Sequence, residues 1–383
     1  MTTIMNYYDY IIVGGGASGL MMAYRMSKDT FFDDKTILIL DKEKKTLNDR
    51  TWCYWEDKND EWNDVVTISW NTIIFKSDVY KTEQVIAPYQ YKMIQSKDFY
   101  LKIWNHLEQK TNFTFQSKNV TSIHQLKGEA EVITSNQVFK TKKLINSILF
   151  NNEYKEQTKY PVLQQHFVGF FIKTKEDTFD DNAATFMDFT VAQNGNTRFM
   201  YILPYKKNEA LFEYTLFSED LLKYEEYKLA IEKYLESKNI TDYEIVDKEQ
   251  GSIPMTCYKF WEQNSENIIH IGTAGGWSKA STGFTFKNTT KKTAELIVHL
   301  KQNKSLERFH KINKFWFYDL LLLDILHEKN HLGAVLFSDL FKRTPSKRIL
   351  KFLDEETSLF EDLQVILKMP PKNFIRAIYR RIF

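Results

Sequence analysis

The 383-residue chain is rich in aromatic side chains (15%) and carries 52 basic and 50 acidic residues, for a formal net charge of +2. This balance excludes the chain-wide basic surface of a typical nucleic-acid-binding protein, so no nucleic-acid partner is expected. The two cysteines, Cys53 and Cys257, lie far apart and without clustered histidines, which indicates neither a disulfide framework nor a metal site.

The N-terminal residues lack the basic region and the long apolar stretch of a signal peptide. No run in the chain approaches about 18 uninterrupted apolar residues. The sequence therefore predicts a cytoplasmic protein that does not span a membrane, and its length predicts about two to three domains.

The first predicted elements are a strand, a glycine-rich turn, a helix and a second strand. Residues 8–13 (YDYIIV) form an apolar run, residues 14–19 read GGGASG, and the next residues have the apolar pattern of a helix. A second apolar run at residues 36–40 ends at Asp41. This order is typical of the first βαβ unit of a dinucleotide-binding fold.

Each glycine of the G-x-G-x-x-G pattern has a physical reason in that fold. Gly14 permits the tight turn, Gly16 lets the backbone approach a pyrophosphate, and Gly19 lets the helix pack closely on the strand. The N-terminus of the helix favours the phosphate charge, and Asp41 is placed to bind ribose hydroxyls. The alternative is a glycine turn with a structural role only. The candidate cofactor-binding residues here are Gly14, Gly15, Gly16, Ala17, Ser18, Gly19 and Asp41.

The rest of the first 150 residues, the predicted first part of the cofactor domain, contains mixed elements. Residues 48–56 (NDRTWCYWE) are predicted to form an irregular aromatic loop, and residues 96–109 a helix with Ser96 as its N-cap. Short β-patterned runs follow, and the polar residues 151–160 are predicted to cross into a second domain.

A β-rich substrate domain is predicted at residues 151–254, because four strand-like segments there are followed by a charged helix and a further strand. Residues 255–305 then return to the cofactor domain, with a buried strand that leads into GTAGG and a helix. The combination of this late segment with the N-terminal βαβ unit favours FAD over NAD as the cofactor. The alternative is that the glycines of the late segment form an ordinary turn at the start of a helix. The late candidate cofactor residues are Gly272, Gly275, Gly276 and Gly283.

The predicted fold class is therefore α/β, and α+β overall. It consists of a Rossmann-type FAD-binding fold of the flavoprotein hydroxylase-like kind, interrupted by the β-rich substrate domain. The last segment, residues 306–383, is predicted to be a helical C-terminal region.

With these motifs in place, the chain resembles the lycopene cyclase family, the FAD-binding carotenoid cyclases of the bacterial and plant β-cyclase type. The resemblance covers nearly the whole length. It rests on the following motifs in order: YDYIIVGGGASGL, NDRTWCYWE, FMDF at 186–189, ALFEYTLFSED at 210–220, IPMT at 253–256 and IGTAGGWSKASTGFTF at 271–286.

Two departures qualify the resemblance. The plant enzymes carry a paired-acid motif where this chain retains only Glu213, with Tyr214 in place of the second acid. Many FAD monooxygenases begin the late segment with Gly-Asp, whereas this chain has Gly272-Thr273. Since the cyclase family also tends to lack that aspartate, its absence favours a cyclase over a hydroxylase.

The resemblance implies conversion of the acyclic ψ ends of lycopene to β-ionone rings without net redox change. It implies FAD in its reduced form, with NAD(P)H or another donor needed only to reduce the flavin. A hydrocarbon can be activated only by protonating a double bond, and a carboxyl group in an apolar pocket can hold the required proton at neutral pH. Glu213 is the candidate catalytic acid, unless it is a solvent-facing strand residue.

Strand alternation places Leu211, Glu213 and Thr215 on one face of their segment. Arg50 is a further cofactor-binding candidate. Aromatic faces are candidates to stabilise a carbocation. The alternative for each aromatic residue is a role in core packing. The candidate substrate-side residues are Trp52, Tyr54, Trp55, Phe186, Asp188, Trp277 and Phe284.

Because lycopene resides in the bilayer, the resemblance also implies peripheral contact with a membrane surface. The C-terminal stretch has basic residues four apart, at Lys368, Lys372, Arg376 and Arg380, with Arg381 beside the last. Apolar residues fill the remaining positions in an amphipathic pattern, at Phe374, Ile375, Ile378, Tyr379 and Ile382. The alternative is a terminal helix packed on the protein with a solvated basic face. The apolar stretch at residues 315–326 is predicted to be a core helix or a wall of the substrate tunnel.

Two other functions stay open at this stage. One is a different FAD-dependent enzyme of isoprenoid or aromatic substrates, such as a hydroxylase or a prenyl-chain reductase. The other is a flavin- or carotenoid-binding protein without catalysis.

Overall fold

The computed structural model describes residues 6–57 and 61–382, which form three sheets and a set of helices. The strands are β1 (Asn6–Val13), β2 (Ile37–Asp41), β3 (Thr51–Glu56), β4 (Ile68–Trp70), β5 (Thr72–Lys76), β6 (Lys81–Val85), β7 (Gln90–Gln95), β8 (Phe113–Ser117), β9 (Val120–Gln125), β10 (Ala130–Thr134), β11 (Val138–Asn146), β12 (Val162–Thr174), β13 (Ala183–Asp188), β14 (Thr197–Lys206), β15 (Glu209–Ser218), β16 (Tyr243–Thr256) and β17 (Ile268–His270). The helices are α1 (Ala17–Lys28), α2 (Ser96–Leu107), α3 (Glu153–Glu156), α4 (Tyr224–Ser237), α5 (Phe286–Lys301), α6 (Lys314–Glu328), α7 (Gly333–Arg343), α8 (Ser346–Leu353), α9 (Leu359–Ile366) and α10 (Pro371–Ile382).

The first sheet has the strand order β8-β2-β1-β11-β10-β9, and β17 pairs in parallel with β11. β1 runs parallel to both β2 and β11, and β8 runs parallel to β2, while β9 and β10 are antiparallel. Helices α1 and α5 share one buried cluster with this sheet. Since parallel strands need crossover connections, the helices cover the sheet as in doubly wound folds.

The second sheet has the strand order β16-β12-β15-β14-β13-β5-β6 and is antiparallel except for the β13–β5 pair. One face packs on α4, and the other contributes to a core shared with the C-terminal helices. Strands β5 and β6 come from within the first 150 residues, so the chain enters this sheet before the predicted boundary at 150. β16 is the last strand of the second sheet along the chain and ends at Thr256, after which the chain goes back to the first sheet at β17.

Two local predictions were wrong. The segment predicted as an irregular loop contains β3, which pairs with β7 in a third sheet of order β3-β7-β4. Ser96 begins α2 but does not cap it, because its Oγ accepts hydrogen bonds from the backbone N–H groups of Asp49 and Arg50, both at 3.0 Å. The serine thus anchors the chain that leads into β3.

The C-terminal region is helical, as predicted, and α6 lies in the core: Leu320, Leu323 and Leu326 are buried. Within residues 6–57 and 61–382, no helix combines the length and the apolar character needed to cross a membrane. The alternation predicted for β15 is also present, since Leu211 joins the core beside the C-terminal helices while Phe212 and Tyr214 pack toward α4.

Candidate active site

The glycine-rich turn between β1 and α1 holds the start of the helix against the first sheet. The Gly14 N–H donates to the Leu40 carbonyl at 2.8 Å, and the Gly15 N–H donates to Asp41 Oδ2 at 2.6 Å. A Cβ added to Gly19 would lie 1.9 Å from the Gly14 carbonyl oxygen, so only glycine permits this packing. The carboxylate of Asp41 therefore lies directly beside the turn, at the end of β2.

The space in front of α1 is open. A Cβ added at Gly16 would have no protein atom within 4 Å, and no side chain caps the helix. The first N–H groups of α1 could therefore donate hydrogen bonds to an anion bound at this point.

The late glycine segment packs against this turn. Gly272 has φ +60°, and a Cβ there would lie 2.3 Å from Ser18 Oγ, so a larger residue would collide with the start of α1. Gly275 approaches the His270 carbonyl oxygen in the same way, and Gly276 ends the turn. The structure thus brings the early and late glycine motifs together, although more than 250 residues separate them.

A cavity of about 490 Å³ joins the glycine turns to the second sheet and the C-terminal helices. Its wall includes Gly16, Ala17 and Ser18, and further along Leu211, Phe186 and side chains of α6 to α10. Most of the wall is apolar, which suits a hydrocarbon ligand next to a polar cofactor end.

Glu213 is buried in the wall of this cavity, on β15. Its Oε1 accepts a hydrogen bond of 2.6 Å from the Thr215 hydroxyl. Burial raises the pKa of the Glu213 carboxyl well above its usual range and the neighbouring Glu249 raises it further, while the Thr215 hydrogen bond opposes the shift. The environment of the side chain therefore favours its protonated, neutral form.

Glu249, on β16, is a second acid of the same cavity that the sequence analysis missed. Burial raises the pKa of Glu249 to about 7, against the lowering influence of Thr51 and Arg50. Its side chain is only half-buried, and its carboxyl interacts with that of Glu213. No motif marks Glu249, because its place beside Glu213 follows from the strand order and not from spacing along the chain.

A chain of hydroxyl and thiol groups lies beside the two acids. Tyr91 and Tyr201 are hydrogen-bonded to each other through their hydroxyls, and both interact with the thiol of Cys53. Burial raises the pKa of Cys53 to about 12, so the thiol is neutral at physiological pH. Beside the two acids and Arg50, these groups therefore add polar but uncharged surface.

The predicted substrate-side residues fall into two groups. Trp52, Phe186 and Phe284 line the cavity, with Phe186 stacked on Phe284 at a centroid distance of 6.1 Å. Gly283 and Arg50 line it too. The other predicted residues lie outside the cavity wall: Tyr54, Trp55, Asp188 and Trp277.

The second group has packing and hydrogen-bonding partners of its own. Trp55 donates from Nε1 to the Leu350 carbonyl at 3.1 Å, and Trp277 packs in the core of the first sheet. Asp188 is fully buried and accepts a 2.6 Å hydrogen bond from Tyr234 of α4, on the face of the second sheet away from the cavity. A sequence motif alone does not reveal which face of a strand its polar residue occupies.

The fold is that of the FAD-dependent monooxygenase and reductase flavoproteins. A geranylgeranyl bacteriochlorophyll reductase-like protein from Thermoplasma acidophilum is 11% identical and matches with a TM-score of 0.62 over 97% of this chain and 98% of its own. A p-nitrophenol 4-monooxygenase from Pseudomonas putida is 12% identical, with a TM-score of 0.60 over 97% and 99%. The halogenase PltM, solved with phloroglucinol and FAD, is 11% identical, with a TM-score of 0.60 over 97% and 85%.

The chain belongs to the lycopene cyclase family, whose model, described as lycopene cyclase protein, matches residues 9–379. No curated protein sequence matches the chain. Family membership thus rests on a match over nearly the whole length, and the low identities to solved structures define the fold alone.

Proposed function

We propose that this protein is a lycopene β-cyclase, which converts the ψ ends of lycopene to β-ionone rings, by way of γ-carotene to β-carotene. The observation that carries the proposal is Glu213, a buried carboxyl group of raised pKa in the wall of a largely apolar cavity that reaches the glycine-rich turn. Membership of the lycopene cyclase family supports the same reaction.

The reaction needs an acid because lycopene has no functional group except its double bonds. A carboxyl group of ordinary pKa is ionised at pH 7 and has no proton to give. Desolvation raises the pKa of the Glu213 carboxyl and so favours its protonated form, and the hydrogen bond from the Thr215 hydroxyl orients the carboxyl group.

Once the double bond is protonated, the cavity must tolerate a positive charge without providing a nucleophile. Phe186 and Phe284 line the wall as a stacked pair, and Trp52 is stacked on Phe286, which also lines it. Each aromatic face close to the cation is worth on the order of 1–2 kcal/mol when desolvated. The neutral tyrosines and the thiol nearby are also poor nucleophiles while they keep their protons.

The residues around the glycine turns fit FAD. The open space at Gly16 and the uncapped α1 suit a pyrophosphate, and Asp41 suits a ribose. Two buried side-chain oxygens in the cavity wall, Gln165 Oε1 and Thr282 Oγ1, have no hydrogen-bond partner among the described residues, which suits a polar ring edge. A bound reduced flavin would supply negative charge beside the substrate cation.

Expression in a lycopene-accumulating bacterium tests the proposal. We expect the pigment to change from lycopene to cyclic carotenoids of unchanged mass, with no NAD(P)H consumed in proportion to product. A change in mass, or stoichiometric NAD(P)H use, would show a hydroxylase or prenyl reductase instead. The variant Glu213→Gln should abolish cyclisation, whereas Glu244→Gln, an exposed acid on β16, should leave it intact.

We also propose that the protein takes its substrate from a membrane surface, through helices α9 and α10. Three of the basic side chains predicted for this contact are engaged within the protein, since Arg376 and Arg380 pair with Glu328 and Arg381 pairs with Asp324. Apolar side chains that are at least half exposed would make the contact with the membrane: Leu359, Phe360, Leu363, Leu367, Ile375, Tyr379 and Ile382.

The same two helices line the cavity, through Val365, Ile366 and Phe374. The surface that would contact the bilayer and one wall of the cavity are therefore formed by the same two helices. The double variant Phe360→Ser, Leu363→Ser should weaken binding to anionic liposomes, measured by flotation, several-fold. The matched control removes two exposed leucines elsewhere, Leu101→Ser and Leu229→Ser, and equal loss in both variants would refute the docking surface.

A further inference from the structure

The two acids of the cavity lie on one row of the second sheet. β12 is the central strand of three, and its Gly169 is paired with Glu213 on β15 and with Glu249 on β16. Residues aligned across neighbouring strands project to the same face. The two glutamates are thus separated by two strand spacings, about 10 Å between backbones, with only a glycine between them.

Gly169 makes the meeting of the two carboxyl groups possible. A Cβ there would lie 3.2 Å from Glu249 Cγ and 3.5 Å from Glu213 Cβ. Because Gly169 itself has no side chain, the two long side chains approach each other over it and their carboxyl groups interact. The row Glu–Gly–Glu is a built acid pair, and no sequence motif contains it.

Arg50 is the cation among the described residues that most affect this pair. The charged and titratable groups that face it from the adjoining elements are Arg50, Cys53, Tyr91, Tyr201 and Asp247. The thiol and the phenols are neutral because burial raises the pKa of each, and Asp247 counteracts Arg50. With little compensating charge, two ionised carboxylates in contact are disfavoured.

We propose that Glu249 is the catalytic base that completes the cycle begun by Glu213, so that the pair gives one proton to the substrate and takes one back. The inference rests on the proposed cyclase function. In the plant motif the second acid follows the first directly, and this chain has Tyr214 at that position. Glu249, from another strand, would take the place of that second acid.

The steps balance without an oxidant or a reductant. The Glu213 carboxyl protonates the terminal double bond of the ψ end and becomes a carboxylate. The resulting cation is attacked by the electron pair of the next double bond, which closes the six-membered ring. The ring cation then loses a ring proton to the Glu249 carboxylate, which forms the ring double bond. Proton transfer from Glu249 to Glu213 restores the starting state.

Infrared spectroscopy of the holoenzyme without substrate tests the pair independently of the reaction. At about pH 7 we expect a protonated-carboxyl band that Glu213→Gln removes and Glu249→Gln retains. As pH falls through about 7, a second band should grow that Glu249→Gln removes. Glu244→Gln should alter neither band. If no protonated-carboxyl band depends on either residue, the pair is refuted; if the bands are present but no carotenoid is formed, the cyclase function fails while the pair stands.

Turnover as a function of pH tests the role of Glu249, with lycopene in liposomes and pre-reduced flavin. The wild type should gain activity as pH rises through about 7, where Glu249 ionises, and lose it at higher pH as Glu213 ionises. Glu249→Gln should lower kcat by about 100-fold or more and abolish the acidic limb, while Glu249→Asp should retain it. An acidic limb that persists unchanged in Glu249→Gln overturns the assignment.

Discussion

The two polar ends of the cavity are both built around a glycine, but for opposite electrostatic purposes. At the nucleotide end, Gly19 allows helix α1 to pack on the turn and Gly16 leaves open space before its N-terminus. At the acid end, Gly169 allows Glu213 and Glu249 to meet in a poorly solvated site. The first end favours negative charge, whereas the second keeps a carboxyl group neutral.

The difference shows how one cavity can hold a dianionic cofactor and a neutral acid. Helix N–H groups stabilise phosphate charge locally, within about the first turn of the helix. Glu213 lies on a different sheet, beside groups that are mainly neutral. Two separate sheets thus keep the anion-binding groups away from the acid whose proton the proposed reaction needs.

The largest effect should come from filling the open space at the nucleotide end. Gly16→Leu places a side chain where no protein atom lies within 4 Å, so the fold should survive while the pyrophosphate space is lost. We expect flavin retention to fall by at least 100-fold, measured by absorbance of the purified protein and by titration with FAD.

The matched control is Gly128→Leu, because a Cβ at Gly128 also meets no atom within 4 Å and the residue lies outside the cavity. Its φ of +76° costs about 1–2 kcal/mol of stability for a non-glycine residue, so the control is the more strained of the two. A purified Gly16→Leu protein that remains yellow would contradict the cofactor site.

How much of this could be predicted from the sequence differs between the two ends. The glycine turn is contiguous, so its residues, its strand and its helix follow from one short motif. Glu213 was predicted through strand alternation and family resemblance. Glu249 was not, because it is 36 residues away on a strand whose neighbour is β12 and not β15. Strand order, and the entry of β5 and β6 into the second sheet, depend on long-range pairing that local patterns do not encode.

A smaller effect should follow from Gly169→Ala at the acid end. The added Cβ would lie 2.8 Å from Leu211 Cδ1 and 3.2 Å from Glu249 Cγ, so one of these side chains must move. We expect the free energy of unfolding to fall by about 1–3 kcal/mol in urea denaturation. In a double-mutant cycle with Leu211→Val, the two costs should be less than additive, since the smaller side chain relieves the contact. Full additivity would show that Leu211 is not the residue displaced.

The last prediction concerns the pH dependence of stability, and it has a definite sign. The pKa of Glu213 is raised in the folded state, so the folded protein binds this proton more tightly than the unfolded chain does. Its stabilising contribution is full below the unfolded pKa, near 4.5, and is lost as pH rises toward the folded pKa. Each pH unit of that rise lowers the free energy of unfolding of the wild type by about 1.4 kcal/mol.

The variant Glu213→Gln has no proton to lose at this position, and its side-chain oxygen can still accept the Thr215 hydrogen bond. The stability of this variant relative to the wild type should therefore increase between about pH 5 and pH 8, in urea titrations at each pH. A difference that stays constant over this range would mean that Glu213 is not held protonated by the fold.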